Sequence, residues 1–96
     1  MAFSDITAED IEFAKFASHE FADWGFRHLT QVQQGRMAYK QYIHEMLLLV
    51  LTQFKGDGEK SWRFLSQAVS EDTLKDCQRY VVYARQELVK KGLIKQ

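Results

Sequence analysis

His19, Glu20, Asp23, Gly25 and His28 come closest in this chain to a set of residues that could do chemistry. A zinc-protease helix places two histidines four residues apart, so that both imidazoles reach one metal from one face. A glutamate beside the first histidine then serves as the base. Here Asp23 stands where the second histidine would be, and the glycine and third histidine come one residue early. The spacing predicts no metal centre. His19 and Asp23 are expected instead to pair across one turn of an exposed helix.

Gly56-Asp57-Gly58-Glu59-Lys60-Ser61 carries the glycine, lysine and serine of a phosphate loop without the four-residue spacer, and it follows a helix rather than a strand. It also lacks the spaced acids of a calcium loop. A connector is the expectation. Cys77 falls on an apolar helical stripe, where a thiol behaves as a small hydrophobe. His44 adjoins Glu45, but neighbouring helical residues point ~100° apart, so His44 is expected to hold a local hydrogen bond. Glu20 and Asp23 lie one turn apart with nothing beside them to tune an acid–base pair. No catalytic residue, metal ligand or cofactor site is assigned, and the chain is not expected to be an enzyme.

The elements that position these residues are helical. Ninety-six residues without proline suit a single helical domain, residues 1–96, with long uninterrupted helices. Thr7 and Asp10 form a capping-box pattern, with Ile6 placed to staple onto Ile11, so a first helix should start near Ala8. Gly25 either kinks or ends it, and Gly35 is the firm stop. A second helix is expected over residues 36–54, apolar around most of its circumference and therefore the spine of the domain. Residues 55–60 read as a loop, after which Ser61 should cap a short helix with Trp62, Leu65 and Val69 on one side. Ser70 caps the last helix, Gly92 ends it, and Leu74, Cys77, Val81, Ala84 and Leu88 form its apolar stripe. No segment alternates with period two. The expected fold is all-α, a compact bundle of four to five helices with no significant sheet.

Charge and hydropathy exclude some roles. The longest apolar run, Met46 to Leu51, is far short of the ~20 residues of a membrane span. The first dozen residues carry Asp5, Glu9, Asp10 and Glu12 and no base, which does not fit a signal peptide. A lone cysteine suits a reducing compartment, so a cytoplasmic location is expected. Net charge is zero but uneven: residues 1–26 hold six acids against one base, and the remainder is net +5. Opposed patches of this kind serve binding, although they can also neutralise each other within one fold.

Two functional readings remain. The favoured one is a small non-catalytic helical module that docks on another protein or complex as a regulator, adaptor or inhibitor. Inhibitors encoded by phages and other mobile elements are built this way, by class analogy. Phe13, Phe16, Phe21, Trp24 and Phe26 cannot share one narrow helical face, so one or two should stay exposed as anchors. The partner-binding residues expected are Glu9, Asp10, Glu12, Glu20, Asp23, Trp24 and Phe26. A second copy of the chain is a further candidate partner, covering Val82 and Val89. The alternative reading is DNA binding. Two helices joined by a short turn suggest a helix-turn-helix, with Lys75, Arg79, Tyr83, Gln86 and Lys90 facing outward from the 71–91 helix. Its close, Leu88-Val89-Lys90-Lys91-Gly92-Leu93-Ile94, resembles the end of the DNA-reading helix in winged-helix regulators, over seven residues. That resemblance implies a transcriptional regulator. Asp72 and Asp76 on the same face, and zero net charge, weigh against it.

Overall fold

Phe16 and Phe21 must both face the core, yet five residues along an α-helix turns two side chains ~140° apart. The chain meets this with a π-helical segment, Phe16–Phe21, whose wider turn brings the two rings to one side, centroids 5.7 Å apart and both buried. In this computed structural model, residues 7–95 are described, without the side chains of residues 9, 10, 12, 13 and 18. The π segment links α1 (Ala8–Lys15) to α2 (Ala22–Gln33), with right-handed helical angles at both junctions, so the three form one continuous rod. Three further helices follow: α3 (Tyr39–Gln53), α4 (Gly58–Ala68) and α5 (Glu71–Lys90). Among the described residues there is no strand, and the fold is an all-α bundle.

The rod passes straight through Gly25 and ends at Gly35, whose φ of +73° is left-handed. The Gly35 and Arg36 N–H groups bond back to the Val32 and Gln31 carbonyls at 3.1 and 2.9 Å, closing the helix end. Because Arg36 is used in this way, α3 starts at Tyr39 rather than at residue 36. The staple expected from Ile6, and the Asp10 half of the capping box, lie outside the described residues.

α3 is the spine. Tyr42, Ile43, Met46, Leu47, Val50 and Leu51 are all buried along it. The Tyr39 hydroxyl donates to Asp76 Oδ2 at 2.9 Å, the Lys40 ammonium lies over the Tyr80 ring, and His44 Nε2 meets Glu87 Oε2 at 3.4 Å. These partners advance in the same direction on both helices, so α3 and α5 run parallel and α4 carries the chain back between them. His44 is thus tied across helices rather than locally.

α4 begins earlier than its sequence suggests. Asp57, not Ser61, is the cap: its carboxylate accepts the Lys60 N–H at 3.0 Å. Residues 58–60 are therefore helix rather than loop. Ser61 turns inward with Phe64 and Leu65, while Trp62 faces outward.

On α5 the Ser70 side chain accepts the Thr73 N–H at 3.3 Å, and the Gly92 and Leu93 N–H groups bond to Val89 and Leu88, both at 3.0 Å. Cys77, Ala84 and Leu88 of the stripe are buried, and Leu74 and Val81 pack partly against the core. Past the helix, Ile94 returns to the core and Leu93 stays exposed. Among the described residues no helix is long and apolar enough to cross a membrane.

Candidate functional site

An apolar groove of about 450 Å³ lies between α2, the start of α3 and the α4–α5 junction. It is lined by the buried Phe21 and Tyr42, by Phe26 and Leu29 of α2, and by Val69, Ser70 and Thr73 at the α4–α5 junction. Its depth comes from the local sequence. The π segment turns Phe21 inward, and Gly25 presents only backbone, with open space where a Cβ would stand. Tyr39 is fixed at the rim by its hydrogen bond to Asp76. Burial lifts the Tyr39 phenol above its ordinary range; the Asp76 carboxylate adds to this, and a hydrogen bond with Thr73 partly offsets it. Tyr39 is therefore a protonated donor, and Ser70 and Thr73 add hydroxyls to an otherwise apolar surface.

Three large apolar side chains remain exposed here. Phe26 is 75% accessible, and Leu29 and Tyr39 are more than two-fifths accessible. The groove is open rather than enclosed. Its chemistry is an apolar seat with aromatic walls and a few hydroxyls, with no nucleophile–base pair and no gathered carboxylates.

Among the described side chains expected to bind a partner, the groove takes in only Phe26. Trp24 is half-buried on the neighbouring face, stacked between His28 at 4.1 Å and Tyr42 at 5.5 Å between centroids. Asp23 pairs with Arg27 at 3.1 Å rather than with His19. Glu20 and His19 border a separate hollow of about 360 Å³ with Lys15, Phe16 and Gln53. Glu9, Asp10 and Glu12 lie on the backbone of α1, and their side chains are outside the described residues. Lys75, Arg79, Tyr83, Gln86 and Lys90 are all exposed along α5, as the alternative reading requires.

The chain matches no protein-family model, no curated protein and no solved structure.

Sequence reasoning missed Gly25, Leu29, Tyr39 and Thr73. Leu29 carried a signal, standing three residues after Phe26 and so on the same helical face. Tyr39 carried none, because only the tertiary fold brings it to α2. Among the described residues, no three His, Cys, Asp or Glu side chains gather as a metal site would need.

Proposed function

We propose that this chain is a small non-catalytic interaction module, a regulator, adaptor or inhibitor that docks another protein in the groove between α2 and the α4–α5 junction. The observation that carries this reading is Phe26, a phenylalanine 75% exposed beside a groove that is already apolar. An isolated exposed apolar residue is ordinary, whereas a cluster around a cleft marks a docking surface. Aromatic anchors of this kind carry much of the energy of protein interfaces. The lone buried thiol of Cys77 suits work in a reducing cytoplasm.

Nucleic acid has less behind it. The α4–α5 link is only Val69 and Ser70, shorter than the usual helix-turn-helix turn, and α5 opens with exposed Glu71 and Asp72. A reading helix presents that first turn to the DNA, where these two charges oppose phosphate.

The test replaces Phe26 by a photo-crosslinking phenylalanine analogue in nuclease-treated lysate of the native host. One protein should crosslink there and not from an analogue at Arg63 on exposed α4 surface. Phe26→Ala should lose that partner with unchanged circular dichroism. No crosslink at Phe26, together with low-salt binding to DNA that Arg79→Glu abolishes, would transfer the function to α5.

A further inference from the structure

Away from the groove, two other surfaces of the chain complement one another. α1 carries Glu9, Asp10 and Glu12 against Lys15 alone. Its described side chains, Ala8, Ile11, Ala14 and Lys15, are exposed, Ile11 to 49%. The outer face of α5 has the opposite character. Val82, 57% exposed, and Val89 border a hollow of about 340 Å³ whose remaining walls are Arg85, Gln86 and Lys90. Lys75 and Arg79 extend the cationic strip toward the start of α5, where Asp72 shares the face and Asp76 is engaged by the Tyr39 hydroxyl. Glu87 does not cancel it, being turned to His44 at 3.4 Å and Lys91 at 3.8 Å.

An apolar hollow with a basic rim fits an acidic helix that carries an apolar residue, and α1 is such a helix. The α5 of the same chain cannot receive it, because α1 continues without a break into α2 and its direction is fixed. We infer that the chain forms a reciprocal dimer, in which α1 of each copy lies on the outer face of α5 of the other. The lengths agree: α1 spans about 12 Å, as does the stretch of α5 from Val82 to Lys90. Zero net charge removes long-range repulsion between copies. A two-fold pair makes the contact twice, so each contact needs to bury only about 400 Å² per partner to reach the ~800 Å² of an ordinary stable interface. This surface is separate from the groove and leaves it open to another protein.

The experiment is sedimentation velocity on the full chain, from micromolar to millimolar concentration, at low and high salt. A monomer–dimer equilibrium weakened by salt is expected. Reversing the acids in E9K/D10K/E12K should raise the dimer Kd roughly 10–100-fold, as the loss of three intermolecular charge pairs predicts. Val82→Asp, at an exposed position, should do the same while leaving the melting temperature of the dilute monomer unchanged. Joining the α1 reversal to K75E/R79E/K90E in one chain should restore the dimer. A monomer at every concentration overturns the inference. So does a dimer that survives both the α1 reversal and Val82→Asp.

Discussion

Gly56 and Ile94 meet so closely that a Cβ on Gly56 would stand 3.0 Å from the Cβ of Ile94. Gly56 also holds a left-handed φ of +82°, and its carbonyl accepts the Arg85 guanidinium at 2.8 Å. This one residue thus ties the end of α3 to α5 and to the returning tail. Gly56→Ala adds a methyl where the tail already lies and strains the backbone as well. We expect a loss of about 2–3 kcal/mol and a fall in Tm of roughly 10–20 °C, read by thermal denaturation. A variant that melts with the wild type would show that the tail does not dock.

Gly25→Ala should act in the opposite sense. Gly25 lies inside α2 with open space before it, so alanine should stabilise the helix by about 0.5–1 kcal/mol. The same methyl narrows the groove. The expected outcome is a raised Tm together with weaker capture of the partner that crosslinks at Phe26. A raised Tm with full capture would remove Gly25 from the docking surface.

The rotational phase of residues along each helix was legible in the sequence, and what depends on two helices meeting was not. The α5 stripe could be read because Leu74, Cys77 and Leu88 obey one period, and the burial of α3 because its apolar residues surround it. The π segment could not, since Phe16 and Phe21 violate the α period and only a shared destination makes sense of both. The start of α4 was misplaced because Asp57 and Ser61 both cap well, and side-chain burial, which sequence does not print, decides between them. For the candidate site, Phe26 was found by its misfit phase, while Tyr39 reaches the groove only through the α2–α3 crossing.

Asp57 and Ser61 give a direct check of that choice. Asp57→Ala removes the cap of α4 and should cost about 1 kcal/mol. The Ser61 hydroxyl is buried with no hydrogen-bond partner, so Ser61→Ala should be neutral or stabilising by up to about 1 kcal/mol. Urea denaturation of both variants separates the assignments. A costly Ser61→Ala beside a silent Asp57→Ala would return the cap to Ser61.

Phe64 is the centre of the aromatic core, with Phe16 at 4.9 Å, Phe21 at 4.8 Å edge-on and Phe54 at 5.7 Å. It joins the π segment, α4 and the end of α3. Phe64→Ala should cost about 3–5 kcal/mol, a large part of the ~5–10 kcal/mol that holds a domain of this size. Circular dichroism should show a much lower Tm or loss of cooperative melting. Phe26→Ala is the control: its exposed ring should leave Tm within about 2–4 °C of wild type.

Cys77 sets the behaviour of the fold in alkali. Burial pushes its thiol up to about 11, with the neighbouring Asp76 carboxylate adding to the shift. In the unfolded chain the thiol ionises near its ordinary ~8.5. Below that value both states hold the proton, and the thiol's contribution to stability is fully present. Above it the unfolded chain releases its proton while the folded chain keeps it, so stability falls as pH rises and the contribution is gone once pH passes about 11. The full loss is about 3–4 kcal/mol. Burial raises the Tyr42 phenol as well, which adds a loss of the same sign at still higher pH. Urea midpoints measured from neutral pH into alkali should stay level to about pH 8.5 and then decline, and Cys77→Ala should delay the decline to the tyrosine range. A thiol reagent at neutral pH should modify Cys77 only in denaturant. Rapid modification of the native chain, or a Cys77→Ala curve that declines with the wild type, would place the thiol outside the core.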